Sequence, residues 1–434
     1  MNKMGNPIDT FPTLVIGAGP TGLAFAAHCH APCLILEKEA TPGGLCRSME
    51  FDGAVFDYGG HIFHTSSAEV QAFLEKRIEL HCQLRDARIA FDGQLISYPF
   101  QQFHAQVANR AIHEECRSGL VGVGDHELPV NNLHDYLLSR FGAGICRHFL
   151  FPYNTKLWGR DLRDIGLNWA GERVASRAVK KPQNGENRTA RRVPLDAESN
   201  VYYPKSGGFQ TIFDSLAKDA CIHYNQSVRE IDVSRKLLFT DTGQVFRWKR
   251  LVSTIPLPLL LQQISHAPGQ LEPADALLSH LSLHLSLLAT AQPLRGVPHR
   301  IYVHDPSYPF HKIAFNHTSS PGLQAMSHHA IIGETSFSNN KPLPAVHVEE
   351  QLIQFLLAYG LIQSRACIRS MRAEQVECAY PVQLSGLGPV RDQILSTLAT
   401  LGIHSIGRFG SWSYINCDTC LEAGWTLAKQ VNAK

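Results

Sequence analysis

Apolar positions follow several rhythms along the chain. Residues 13–16 form a short apolar run that reads as a strand. Residues 22–28, rich in Ala and Leu, read as a helix, and a second apolar run, Cys33–Leu36, ends at Glu37. Strand, tight turn, helix, strand is how a parallel dinucleotide-binding sheet begins. From about 132 to 160 the pattern turns helical, with Leu133, Leu137, Leu138 and Phe141 on one stripe. Residues 281–287, LSLHLSL, alternate strictly and predict a half-buried strand. Further strands are expected at 301–303, 313–315 and Ala330–Phe337, giving an antiparallel sheet. Residues 349–361 carry an amphipathic helical pattern. Thr419 followed by Glu422 reads as a capping box opening a last helix to about Val431. Residues 177–192 are the one composition shift: Arg177, Lys180, Lys181, Arg188, Arg191 and Arg192 face only Glu186, and the stretch reads as an exposed loop.

Composition narrows this only a little. A chain of 434 residues with 44% hydrophobic and 18% charged content is an ordinary globular protein, expected to form two or three domains. A net charge of +2 gives no reason to expect a polyanion partner such as nucleic acid. There is no apolar run of membrane-spanning length and no leader-like start, so a cytoplasmic protein is expected. The 11 cysteines lack regular spacing and read as reduced thiols. Cys417 and Cys420 form a lone CxxC, and no metal is expected.

Chemistry enters at GAGPTG, residues 17–22. Gly17 permits the tight turn, Gly19 lets backbone approach a pyrophosphate, and Gly22 lets helix and strand pack closely. The following helix offers its free N–H groups and dipole to the phosphates, and Glu37, with Lys38 beside it, stands where an acid meets ribose hydroxyls. A second glycine pair, Gly43 and Gly44, and a third, Gly59 and Gly60, suit the longer phosphate–ribityl arm of FAD better than NAD. Arg47 is a candidate phosphate partner. Near the C-terminus, GRFGSWSY (407–414) runs into the last helix, whose N-terminus would stabilise negative charge on a reduced flavin.

Taken in order, the glycine turn, GGHIFHT (59–65), PYNTKLW (152–158), WAGERV (169–174) and GRFGSWSY resemble the UDP-galactopyranose mutase family over nearly the whole chain. YPFQ, PYN, GER and GSW are similar to the eukaryotic form, while HIFHT and the spacing from Tyr414 to Asp418 are similar to the bacterial form. The resemblance implies an α/β fold: a Rossmann-type FAD-binding domain (1–83, 205–258, 385–434), an inserted helical domain (105–175) and an antiparallel β-sheet substrate domain (84–104, 176–204, 259–384). It also implies a pyranose–furanose mutase acting on a UDP-galactose-like nucleotide sugar, as in cell-surface polysaccharide synthesis. Reduced-flavin N5 would attack the anomeric carbon and displace the diphosphate. NADPH or NADH is the candidate reductant, and an oligomer is compatible with the family.

The residue roles carried over are also implied by the resemblance. Gly60 and His61 match the loop against the flavin, and Arg408 and Asp418 match its C-terminal contacts. Arg173 matches one of two arginines that clamp the diphosphate; the second falls on Lys312, which keeps the charge without the bidentate fork. Tyr380 and Tyr414 match phosphate-binding tyrosines, and Tyr302 a cleft tyrosine. Asn154, Trp158 and Asn200 match positions around the nucleotide, and Tyr98 and Gln101 the uridine pocket. Arg88 matches an NADPH-binding position, but Ala90 replaces the serine that follows it, and a further cleft tyrosine is missing at Asn316-His317-Thr318. These departures suggest a divergent member with another nucleotide sugar. Two other readings stay open: an amine-oxidase or desaturase-like oxidoreductase, and a non-catalytic relative that binds flavin and nucleotide sugar.

Overall fold

In the computed structural model residues 9–121, 123, 130–174, 199–265 and 276–433 are described, without the side chains of Glu172 and Arg173; the basic stretch 177–192 lies outside them. An eight-stranded sheet holds the first strand, β1 (Asp9–Ile16), at its centre, between β2 (Cys33–Leu36) and the strand Val245–Ser253, both parallel to it. Leu14, Ile16, Leu34 and Leu36 face one side, packing with Ile394 and Leu398 of the helix Leu387–Thr400. Val15 and Ile35 face the other, under α1 (Pro20–His28) and the last helix, Cys417–Asn432. Because both faces are covered, these strands are apolar throughout rather than alternating. The helix α1 begins at Pro20, whose fixed φ suits a first helical position.

The last helix corrects the capping-box expectation. Asn416 is its N-cap and makes no side-chain cap bond, and Thr419 lies inside the first turn with its hydroxyl on Asp418. Buried Asp418, Cys420 and Leu421 dock this end of the helix, so packing rather than Thr419 sets where it starts.

A seven-stranded sheet runs Ile368–Pro381, His280–Thr290, Ala330–Phe337, Lys312–Phe315, Arg300–Val303, Ala87–Phe91, Gln94–Ser97. It is mixed rather than purely antiparallel, since Arg300–Val303 pairs with Ala87–Phe91 in parallel. His280–Thr290 is buried on both faces, not one. Its polar face lies against the helix Val348–Ala358, where the Glu349 carboxylate receives the Ser286 hydroxyl at 3.0 Å and meets His284 Nε2 at 2.6 Å. A helix distant in sequence supplies partners that strand alternation alone would assign to water.

The helical region between the two sheets is broken. Leu133–Ile145 contains Gly142 at φ 74°, and a π-helical turn, Cys146–Leu150, leads into Phe151–Trp158. A Cβ on Gly142 would lie 1.9 Å from the Gly119 carbonyl oxygen, so the break lets two helices touch through backbone. Phe151–Trp158 is tied to the second sheet by the Ser336 hydroxyl donating to the Leu157 carbonyl at 2.7 Å. Among the described residues, no helix is long and apolar enough to cross a membrane.

Burial also sets an acid limit. His317, stacked on His329 at 3.9 Å, is brought from 6.5 to about 3 by burial, and His299 to about 4 for the same first reason. The unfolded chain therefore binds protons at pH values where the folded chain does not. Stability present above pH 6.5 is expected to drain as pH falls toward 4, by about 1.4 kcal/mol per pH unit for each histidine. Urea unfolding at pH 7 and pH 5 checks this; equal free energies would refute it.

Candidate functional site

The glycine turn is built around close backbone. Gly17 has φ 99°, and a Cβ on it would meet the Thr254 hydroxyl at 2.5 Å. A Cβ on Gly22 would fall 2.1 Å from the Gly17 carbonyl oxygen. A Cβ on Gly44 would lie 3.3 Å from the Gly19 Cα, so the turns bearing Gly19 and Gly44 approach each other as bare backbone. The N-cap of α1 is Gly19, with no side-chain cap and no acid in the first turn, which leaves the helix N-terminus open to an anion. Glu37 is buried behind the turn, its carboxylate accepting from the Ala18 N–H at 2.6 Å and the Glu39 N–H at 3.0 Å; burial pushes its pKa up. Arg47 donates to the Gly44 carbonyl at 3.0 Å and pairs with Glu39 at 2.8 Å, while Lys38 points outward toward the same Glu39. The cradle fits an extended dinucleotide, with phosphates on α1 and Arg47 close to the glycine pair that includes Gly43.

The C-terminal segment packs into this cradle. A Cβ on Gly407 would meet the Thr21 hydroxyl at 2.3 Å, which presses the turn Gly407–Gly410 against the first turn of α1. Asp418 is buried in the first turn of the last helix. Arg408 leaves the turn to donate to the carbonyls of Ala379 and Ile415 at 3.1 and 3.2 Å, and its guanidinium lies 5.1 Å from the Tyr380 ring and 4.9 Å from the Tyr414 ring. Trp158 and Trp169 stand edge-on to Tyr414 at 5.5 and 5.3 Å, so these aromatics pack as one cluster beside the Arg408 guanidinium.

The second sheet, whose strand Ile368–Pro381 carries Tyr380, supplies the charged side of the site. Strand register pairs Tyr302 with Lys312, Lys312 with Glu334, and Arg300 with Ala314, which puts Arg300, Tyr302, Lys312 and Glu334 on one face. The glycine loop lies on that face: Gly59 has φ 98°, and a Cβ on Gly60 would fall 2.6 Å from the Ala314 Cβ. The Gly60 N–H donates to Glu334 at 2.7 Å, and the other Glu334 oxygen pairs with Lys312 at 2.8 Å. His61 stacks on Phe209 at 5.1 Å, with Nδ1 3.1 Å from the Gly59 carbonyl. Its pKa is lowered to about 3, first by burial and then by Lys312 and Arg300, so the imidazole is neutral. Buried Arg85 donates to the Tyr302 hydroxyl at 2.7 Å and lies over the Tyr98 ring at 4.4 Å; Tyr98 stacks on Tyr302 at 4.7 Å. Burial alone would raise the Tyr302 phenol, but Arg85, Arg300 and Lys312 together pull it below its usual value.

With this geometry in place, likeness to known proteins can be weighed. Residues 15–77 match the NAD(P)-binding Rossmann-like domain family. A crystal structure of reduced UDP-galactopyranose mutase matches with a TM-score of 0.87 over 97% of this chain and 95% of that one, at 23% identity. The chain has the fold of a UDP-galactopyranose mutase. In sequence, the UDP-galactopyranose mutase of Mycoplasma pneumoniae is 26% identical over 174 residues, 36% of this chain and 43% of that protein. The match spans less than half the length of the two curated mutases it aligns with, and 60% of curated coproporphyrinogen III oxidases that are 20% identical. A double mutant of putrescine oxidase also matches, with a TM-score of 0.71 over 99% of this chain and 100% of that one, at 15% identity.

Not every residue singled out in the sequence joins this site. Arg173 closes the short helix Ala170–Arg173, but its side chain lies outside the described residues. Arg88 pairs with Ile301 in register and so sits on the face opposite Tyr302, bonded to Asp86 at 2.7 Å. Asn200 is exposed at the start of Asn200–Pro204, its carbonyl 3.2 Å from His64 Nδ1. Asn154 is buried with its amide on the Leu150 carbonyl at 2.8 Å, and Gln101 is buried in the helix Phe100–Phe103.

Arg85, Arg300 and Glu334 escaped the sequence reading. One signal was available for Arg300: in Arg300–Val303 it shares the two-residue period of Tyr302, while Ile301 and Val303 are fully buried on the other face.

Proposed function

We propose that this protein interconverts the pyranose and furanose forms of a nucleoside-diphosphate sugar, with FAD in the glycine cradle. The observation that carries this reading is charge. Arg85, Arg300, Lys312 and Arg408 gather with Tyr98, Tyr302, Tyr380 and Tyr414 beside the glycine loop, and among the described residues Glu334 is the carboxylate that pairs with Lys312 there. Such a cluster suits a diphosphate, because guanidinium groups and phenols grip phosphate oxygens while low solvent exposure strengthens the attraction. Reduced FAD, when bound, supplies the nucleophilic nitrogen that takes the anomeric carbon and lets the diphosphate leave and return.

The residues of this chain supply position and field. Gly59 and Gly60 leave backbone without side chains beside the reacting centre. Neutral His61 donates from Nδ1 to the Gly59 carbonyl and keeps Nε2 as an acceptor. Arg300, Lys312, Tyr302, Tyr380 and Tyr414 hold the diphosphate while it is detached, with Arg173 a further proposed clamp. Tyr98, Gln101, Asn154, Trp158 and Asn200 are proposed to enclose the nucleotide.

A dithionite-reduced enzyme incubated with a panel of nucleotide sugars should give furanose product; no turnover across the panel would overturn the reading. Arg300→Gln is expected to weaken UDP binding by about 2–5 kcal/mol, the usual cost of deleting one member of a desolvated charge pair. Calorimetric titration measures it, and an unchanged affinity would remove Arg300 from the clamp.

The fold shared with putrescine oxidase supports a second reading, an FAD-dependent amine oxidase. The cationic cluster weighs against it, since Arg85, Arg300 and Arg408 would repel an ammonium substrate. Flavin bleaching by an amine without oxygen would reverse this preference.

A further inference from the structure

At the end of the eight-stranded sheet away from the glycine turn, two cysteines meet. Cys29 caps the C-terminus of α1, its N–H on the Phe25 carbonyl at 2.9 Å, and Cys33 opens β2. Both cysteines pack against the core beneath α1, four residues apart in the chain. Asn432 of the last helix clamps the segment between them, donating to the His28 carbonyl at 2.8 Å and accepting from the His30 N–H at 2.9 Å. Register places Cys33 opposite Thr13 and Thr13 opposite Arg250, so Cys33, Thr13 and Arg250 line up on the face covered by α1. Arg250 donates to the Thr13 hydroxyl at 3.4 Å and also lines a cavity of about 260 Å³ with Pro12, Lys249, Gly402 and His404.

This combination differs from an inert buried thiol. Cys29 is partly exposed, has a second thiol beside the same core, and lies near Arg250, which lines a cavity together with Lys249. We propose that Cys29 is a redox-active thiol that takes a mixed disulfide from an anionic low-molecular-weight disulfide seated against Lys249 and Arg250, and that Cys33 resolves it. The Cys29 sulfur attacks one sulfur of the external disulfide, forming a new S–S bond as the old one breaks and one thiolate leaves. Cys33 then loses its proton to solvent and attacks the Cys29 sulfur, expelling the second thiolate. Two protein thiols are oxidised to one disulfide, and one external disulfide is reduced to two thiols.

The electrostatics agree with the geometry. The Cys33 hydrogen bond, the Ala31 backbone, Arg250 and His30 bring the Cys29 pKa down to about 6 against burial, which raises it. Cys33 is pushed up by that same hydrogen bond, by burial and by Cys221, which precedes the edge strand Ile222–His223. Lys429 and Glu69 face the neighbouring His28. A thiol ionised just below neutral pH is close to the optimum for disulfide exchange.

The test uses the full chain, with exposed Cys82 as internal reference. Peptide mapping after iodoacetamide at pH 7 should show Cys29 alkylated at least about tenfold faster than Cys82, with a rate midpoint near pH 6. Equal rates would overturn the thiolate. Glutathione disulfide should convert the wild type to a Cys29–Cys33 disulfide. Cys33→Ser, which keeps a hydrogen-bond donor, should instead accumulate one glutathionyl group on Cys29; failure to do so would overturn the resolving role. Lys249→Glu should slow glutathione disulfide at least about fivefold while leaving the iodoacetamide rate unchanged, since only the former is anionic. No slowing, or equal slowing of both, would overturn the cavity as the anion's seat.

Discussion

Replacing Gly22 with alanine is expected to leave the purified protein without flavin and to lower its stability by about 1–3 kcal/mol, the usual cost of overpacking a closed site. The added Cβ would sit 2.1 Å from the Gly17 carbonyl oxygen and 3.3 Å from Val15 Cγ1. The nearer neighbour is backbone, so no rotamer relieves it, and α1 has to lift from β1 by about an ångström to restore ordinary contact. The helix has nowhere to lift to. Its first turn is pressed from the other side by the last helix, where a Cβ on Gly424 would already be 2.4 Å from the Thr21 carbonyl oxygen. The movement must open the turn proposed to hold the phosphates. Visible absorbance of the purified variant and its urea midpoint measure both effects. Gly388→Ala is the control, because a Cβ there meets only the Asn168 amide at an ordinary 3.5 Å. A Gly22→Ala protein that keeps its flavin and its midpoint would show that the turn adapts.

That glycine was legible in the sequence because its reason is local. β1, the turn, α1 and β2 lie within a short stretch, and the apolar runs mark strands buried on both faces. Elements whose character depends on distant partners were harder to read. Ser282, His284 and Ser286 look solvent-facing by alternation, yet the last two meet Glu349, more than 60 residues away. Thr419 and Glu422 have the spacing of a capping box, but burial of Asp418 and Cys420 starts the helix earlier.

The candidate site divides along the same line. Gly59 and Gly60 stand out by their pairing, whereas Tyr302, Tyr380 and Tyr414 were named before any coordinates only through the family resemblance. Arg300 and Glu334 become neighbours of the glycine loop only through sheet register, and one strand alone does not reveal which arginine the loop will rest on. Lys312 was noticed as a departure from arginine. Its meaning shifted once Glu334 appeared beside it, since part of its charge is engaged within the protein.

That pairing leads to the second large effect. Glu334→Ala is expected to cost about 3–5 kcal/mol of folding stability, because it strands a largely buried ammonium and an unpaired Gly60 N–H together. Glu334→Gln keeps an acceptor for Gly60 and loses only the charge, so a smaller loss, about 1–3 kcal/mol, is expected. The double variant Glu334→Leu with Lys312→Met should recover most of the deficit, since removing both members of a buried pair leaves no orphan charge. Urea unfolding of the wild type, Glu334→Leu, Lys312→Met and the double variant forms a thermodynamic cycle, and a double variant as unstable as Glu334→Ala would mean the pair is not the source of the loss. Binding separates stability from function. In the folded fraction, Glu334→Gln releases Lys312 and makes the site more positive, so UDP should bind more tightly even as the fold weakens. Tighter nucleotide on a less stable protein is the outcome expected if Glu334 restrains the charge of Lys312 while holding the glycine loop; weaker nucleotide would mean that loop position, not charge, limits binding.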